Sequence, residues 1–130
     1  MATSPTQRSL DYLKKQGALV SVAEHWNAFT RTRRDLFGFI DIVALIPGRG
    51  IVAVQTTSGS GVSARIKKIL GVPVDDSPQA VARAEFIRLS AERWIESGGE
   101  IEVHGWRKVK VNRGGKATKW EVRIERLEFE

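Results

Sequence analysis

Cysteine is absent from this chain of 130 residues. Its absence excludes a disulfide framework and any thiolate-bound metal, and it fits a reducing compartment, so a cytoplasmic location is expected. Long apolar runs are missing too: no window approaches the roughly 18 residues of a membrane span. Met1–Gly17 lacks the apolar core of a secretory signal, and no contact with a membrane is expected. Neither His25 nor His104 has a second histidine at ligand spacing, which points both toward structural roles. The chain shows no internal repeat and no low-complexity tail.

One further absence is local. No acid lies between Glu102 and Glu121, whereas that window holds Arg107, Lys108, Lys110, Arg113, Lys116 and Lys119. These six cations equal the whole formal net charge of +6. With a pI near 10.1, such a concentration of charge favours a polyanionic partner held through its phosphates, a solvated basic face being the plain alternative.

What is present is an ordinary folding composition, 42% hydrophobic and 28% charged. Residues 1–130 suit a single domain that buries roughly two thirds of the surface of its unfolded chain. Ser4-Pro5-Thr6-Gln7 places a capping serine, a first-position proline and a glutamine as a capping box does, and predicts a helix to about Gln16, stopped by Gly17. Ala18–Ala23 reads as a strand with a polar tail, Glu24-His25-Trp26-Asn27. Phe39–Leu45 and Ile51–Gln55 read as covered strands joined by the turn Pro47–Gly50. Val62, Ile66, Ile69 and Leu70 recur at helical spacing. Ser77-Pro78 opens another helix, whose buried face is Val81, Ala84, Ile87, Ala91, Trp94 and Ile95. Ile101–Val111 and Ala117–Phe129 form a hairpin across Asn112-Arg113-Gly114-Gly115, with one wet face. The order α-β-β-β-α-α-β-β describes an α/β domain in which helices cover a mixed central sheet.

Two polar residues interrupt the covered strands. Asp41 shares a strand face with Phe39 and Val43, and Gln55 with Ala53 and Thr57. Pairing through Pro47–Gly50 brings the two together at the ends distal to that turn. Burying an ionised carboxylate costs several kcal/mol unless a cation or hydrogen bonds offset it. A carboxylate, an amide carbonyl and the backbone carbonyl of Thr56 form an oxygen donor set for a hard cation, Mg²⁺ or Mn²⁺, with water completing the shell.

Gly38-Phe39-Ile40-Asp41, a turn of about a dozen residues, and Gln55-Thr56-Thr57 at the end of an apolar strand resemble the core of the PD-(D/E)XK nucleases, most closely the Holliday junction resolvases and related phage and repair nucleases. The likeness spans about Ser4 to Val103, with a specific motif of some twenty residues. It implies a restriction-endonuclease-like fold and a metal-dependent DNA endonuclease of recombination or repair, acting on branched or otherwise unusual DNA. It makes Asp41 and Gln55 metal ligands. Such enzymes commonly work as dimers on a two-fold symmetric junction.

A further acid near the first helix or strand is usual in the family; Gln7, Asp11 and Glu24 are available, and Glu24, at a strand end, is the best placed of them as third ligand, a plain surface acid being the commoner fate of such a residue. Asp35, six residues ahead of Asp41, is a further candidate ligand or a partner of Arg33 or Arg34, the ion pair being favoured. The likeness departs at Thr57, where the pattern has lysine. The missing cation is then expected from the following helix, which carries Arg65, Lys67 and Lys68. Arg65 lies nearest the buried flank and suits a phosphate clamp, while Lys67 and Lys68 point toward solvent.

Arg31, Arg33 and Arg34 lead into the acidic site and are expected to hold DNA phosphates beside it. Trp26 and Phe29 are able to stack on bases, although packing in the core is the commoner fate of such residues. Two rivals remain: a nucleic-acid-binding module of the same fold without catalysis, and an assembly protein in which Asp41 pairs with a buried arginine.

Overall fold

A computed structural model describes residues 3–129. Helix α1 spans Pro5–Lys15. Strands β1 (Leu19–Val22), β2 (Glu24–Asn27), β3 (Thr32–Asp35), β4 (Ile42–Ile46) and β5 (Gly50–Ser58) follow. A single 3-10 turn, Gly59–Gly61, leads into α2 (Val62–Ile69); then come α3 (Pro78–Glu96), β6 (Glu100–Lys110) and β7 (Thr118–Leu127). Five strands form one mixed sheet in the order β1-β4-β5-β6-β7, and β2 and β3 form a separate two-stranded arm. Within the sheet only β5 and β6 run parallel. No helix among the described residues is long and apolar enough to cross a membrane.

The helix starts follow local chemistry. Ser4 Oγ accepts from Gln7 N at 3.1 Å, and Ser77 Oγ from Ala80 N at 3.2 Å, each with proline in the first turn. The capping box of α1 is only half made, because the Gln7 amide turns to Asp11 Oδ1 at 3.0 Å. Gly17, at φ +84°, ends the helix.

Alternation along β5 separates two apolar layers. On one face Ile42, Ala44, Ile46, Val52 and Val54 pack against Leu13 of α1. On the other, Ala53, Ile101 and Val103 pack under Val62 and Ile69 of α2 and Ile87 and Ala91 of α3. Cover is complete only in the middle of the sheet: Leu45 and Ile51, beside the Pro47–Gly50 turn, stay exposed. Val81, expected on the buried face of α3, is also exposed, since α3 turns Ala84, Ile87 and Ala91 inward.

The main departure from the expected order is the arm. Glu24–Asn27 does not trail from β1; it pairs antiparallel with Thr32–Asp35. The strand expected at Phe39 begins at Ile42, and a tight reversal precedes it, with Phe37 at φ +54° and Gly38 at φ +81°. A Cβ on Gly38 would meet Ile87 Cγ1 at 2.8 Å, so glycine is required there for space as well as for conformation. This reversal returns the chain from the arm to the sheet and sets Asp35 near Asp41.

The α1 face also holds a sealed polar chain. Trp106 Nε1 donates to Ser9 Oγ at 2.9 Å, and the Ser9 hydroxyl donates to His104 Nδ1 at 2.9 Å. His104 Nε2 donates to Glu102 Oε1 at 2.9 Å, and Arg49, from the β4–β5 turn, binds Glu102 and Glu100. The distances resemble a serine–histidine–acid triad, but Ser9 and His104 are 0% exposed and Glu102 is 4% exposed, so no substrate reaches them. The structural role expected for His104 holds: it ties α1 to β6. Burial alone would raise the Glu102 carboxyl, but the hydrogen bond from His104 and then Arg49 outweigh it and bring it from 4.5 to about 2. The folded state therefore favours the carboxylate, and the stabilisation it contributes is present above pH 4.5 and lost as pH falls toward about 2. Denaturant unfolding between pH 2 and 4.5 checks this: the wild type should lose stability as pH falls through that window, and Glu102→Gln should flatten the slope.

Candidate metal centre

Pairing between β4 and β5 runs from Ile46↔Gly50 to Ile42↔Val54, and Asp41 N donates to Val54 O at 2.9 Å one step further on. Asp41 therefore sits beside Gln55 and Thr56, as the sequence implies. Its Oδ2 accepts from Gln55 Nε2 at 2.7 Å, Thr56 N at 2.7 Å and Thr56 Oγ1 at 3.2 Å. Thr56 Oγ1 in turn bonds Thr6 Oγ1 of α1 at 2.8 Å. The contribution of α1 to the cleft is thus Pro5 and Thr6, not Gln7 or Asp11, which bond each other on its exposed side.

Register in the arm sets Glu24 opposite Asp35 at its base. Carboxylate oxygens of Glu24, Asp35 and Asp41 lie within 4.8 Å of one another. Glu24 thus reaches the cluster. Asp35 does not make the favoured pair with Arg33 or Arg34: it faces the cluster, and its ion pair is with Lys68 Nζ at 3.6 Å, while Arg33 pairs with Glu24 at 3.7 Å. Its six-residue spacing from Asp41 marks Asp35 in the sequence; its approach to Glu24 comes from the Glu24–Asp35 hairpin, which the segment's unpatterned polar residues do not announce.

Charge crowding shows in the titration of the site. Asp41 is pushed from 3.8 to about 7, first by burial and then by the Asp35 carboxyl, against the hydrogen bonds from Thr56 and Gln55. Lys68 is lowered, first by burial and also by the charge of Arg65, against the attraction of Asp35 and Asp41. Lys68 is therefore half-buried at the site rather than turned to solvent as expected; Lys67 is exposed, and Arg65 lines the cleft with Thr57 and Ser58. Thr57, on the cluster's face, packs its hydroxyl where a Cβ on Gly61 would stand, 2.2 Å from it.

Two observations fit these residues to a divalent cation. Three acids at this spacing repel one another unless positive charge intervenes. Gln55 is 2% exposed, and with its Nε2 committed to Asp41 its Oε1 has no hydrogen-bond partner. A buried acceptor left unpaired costs roughly 1–3 kcal/mol. The Gln55 Nε2 faces Asp41 and Asp35, at 2.7 and 3.4 Å, and a cation among the acids would recover that cost by turning the amide carbonyl toward itself. The Thr56 carbonyl leaves the strand on the same edge as its N–H, toward β4 and Asp41. Among the described residues no arginine bonds Asp41, whose partners are Gln55 and Thr56.

The basic residues divide. Arg33 and Arg34 lie on β3 and Arg31 just before it, on the arm. Arg107, Lys108 and Lys110 lie on β6, Lys119 on β7, and Arg113 and Lys116 in the turn between. Trp26 and Phe29, for which core packing was the commoner expectation, are exposed. No family model, curated protein or solved structure matches the chain.

A raised Asp41 means that the folded state holds its proton more tightly than the unfolded chain does. Stability should then fall as pH rises from about 4 to about 7. Thermal unfolding is expected to show that fall in the wild type and a flatter profile in Asp41→Asn. At pH 7.5, Mg²⁺ or Mn²⁺ should raise the wild-type Tm, by the equivalent of about 2.7 kcal/mol at a hundred times Kd, and leave Asp41→Asn unmoved. A wild type indifferent to both ions would remove the metal assignment.

Proposed function

We propose that the protein is a divalent-metal-dependent DNA endonuclease with a restriction-endonuclease-like arrangement of the PD-(D/E)XK kind, working in the cytoplasm. The observation that carries this reading is the convergence of Glu24, Asp35 and Asp41 within 4.8 Å beside Lys68. Glu24, Asp35, Asp41, the Gln55 side-chain carbonyl and the Thr56 carbonyl would hold Mg²⁺ or Mn²⁺. Such an ion supplies Lewis acidity at phosphorus and a more acidic water.

The chain's own groups take the remaining tasks. Arg65, lining the cleft, is placed to hold a phosphate oxygen through two N–H donors. Lys68 is placed to orient the attacking water, and its lowered pKa makes its proton easier to exchange. Hydrolysis then forms a bond from water oxygen to phosphorus, breaks one P–O ester bond, and leaves the departing oxygen protonated. Lys68 stands in for the lysine that Thr57 replaces; α2 delivers it to the cluster from eleven positions further along the chain.

Topology adds a channel for the strand. β1 ends at Val22↔Ile42 and the arm continues from it beyond the Asp41 end of the sheet. β5 ends at Ser58↔Trp106, and parallel β6 continues past it to Lys110. Two cationic hairpins therefore project from the sheet end that carries the acids, one to either side in strand order. A backbone lying between them would meet positive charge on both flanks.

The second reading, binding without cleavage, draws on Thr57. Incubating duplex, single-stranded and branched DNA with Mg²⁺ or Mn²⁺ separates the two. The wild type should cut, chelator should stop it, Asp41→Ala should lose at least about a hundredfold, and Lys68→Ala should lose rate while still binding DNA. Binding by the wild type with no cleavage of any substrate would favour the second reading. Either reading predicts that reversing charge at Arg107, Lys110 and Lys116 weakens DNA binding and flattens its logarithmic salt dependence by about 0.9 for each phosphate no longer neutralised; a titration across salt concentrations measures both.

A further inference from the structure

The β2–β3 arm carries groups that neither the fold nor the acid cluster uses. Glu24 pairs with Asp35, His25 with Arg34, Trp26 with Arg33 and Asn27 with Thr32. Alternation puts Trp26 and Arg33 on the face that bears the two acids, one repeat outward, about 7 Å along the strands. The Trp26 ring is 53% exposed and the Arg33 guanidinium lies 6.0 Å from its centroid. At the tip, Asn27 Oδ1 accepts from Phe29 N at 2.9 Å and Thr30 N at 3.3 Å, and Thr30 and Thr32 hydroxyls bond at 2.7 Å. This built turn holds Phe29 wholly in solvent, at 101% exposure.

A phenylalanine with no burial gains nothing from folding, and a tryptophan 53% exposed leaves half of its surface unused. Their setting indicates the ligand. From His25 to Arg34 the arm has Arg31, Arg33 and Arg34 and no acid. Aromatic rings interleaved with guanidinium groups match the alternating base faces and phosphates of a nucleic-acid strand. In a duplex the base faces are covered by their neighbours, so rings presented this way select strands whose bases are unpaired.

We infer that the arm is a base-stacking site for single-stranded DNA. Trp26 takes the base adjoining the phosphate at the acid cluster, Phe29 takes a base farther out, and Arg33, beside Trp26, and Arg31 hold the phosphates between. The substrate class is then DNA with an unpaired segment beside the cut, such as a flap, gap or branch. The inference rests on the nuclease reading for the position of the cut, not for the stacking.

Affinity for an oligonucleotide, single-stranded and as its duplex, measured in chelator at low salt, tests the arm. Trp26→Ala/Phe29→Ala removes two exposed rings and leaves the core intact, and Trp26→Phe keeps a stacking face. Each lost stack should weaken single-strand binding by about five- to a hundredfold. Duplex affinity should change less than about twofold, and Trp26→Phe should retain most of the single-strand affinity. Unchanged single-strand binding in the double variant, equal losses on both forms, or no binding by the wild type would overturn the assignment. Since nothing is cut in chelator, the outcome is independent of cleavage: selective single-strand binding by a protein that never cuts would sink the nuclease and leave the arm standing.

Discussion

The site depends on the hydrogen bonding of one carboxylate. Asp41 enters the sheet just before β4, and its Oδ2 accepts the Thr56 amide and the Gln55 side chain, each at 2.7 Å. Those donors make it possible to bury an acid at the end of two covered strands. They also gather the site, since Gln55 and Thr56 are drawn to β4, Thr56 links to Thr6 of α1, and the Phe37–Gly38 reversal returns Asp35 to the same point. The donors do not fully offset burial and the neighbouring Asp35, and the carboxyl stays near 7. A group held so close to neutrality, among other acids and a half-buried lysine, is poised to respond to positive charge.

The same sheet carries a second polar system on its opposite face. Glu102 and His104 of β6 meet Ser9 of α1 and Arg49 of the β4–β5 turn, in an unbroken chain of hydrogen bonds from Trp106 to the two glutamates. Its lack of exposure makes it a tie between layers despite its resemblance to a catalytic triad. The contrast explains the chemistry assigned to each face. The sealed network has matched donors and acceptors, whereas the open cluster has excess acid, an unpaired Gln55 carbonyl and a cleft lined by Arg65. A ligand is required only where the protein does not satisfy its own groups.

The proposed nuclease activity asks for a lysine on the strand where Thr57 stands, and the same electrostatics can be met from a helix. α2 packs Val62 and Ile69 into the layer beneath, and Lys68, one residue before Ile69, comes to lie beside Asp35. A cation carried by a helix and one carried by a strand occupy equivalent ground when the helix lies across the strand ends. The arm adds a different element. Its base supplies Glu24 and Asp35 while its outer half presents Trp26 and Phe29, so movement of the arm would alter the acids and the rings together.

Much of this could be read along the chain. Both proline-led caps, the helical spacing of α2 and α3, the Asn112–Gly115 turn and the proximity of Asp41 to Gln55 depend on neighbours in sequence or on strands joined by a short turn. Local geometry constrains such features strongly. Other features are long-range: the approach of Lys68 to Asp35, of Arg49 to Glu102 and of Ser9 to His104 spans 33, 53 and 95 positions. The arm was hidden for another reason. Glu24–Asp35 has no apolar alternation, and its pairing follows from the exit of β1 at the sheet end and the reversal at Phe37 and Gly38. Composition and spacing thus identified an α/β chain with an acid needing partners; which acids and which cation surround it was settled by packing, because side chains distant in sequence share a site only when a common core brings their elements together.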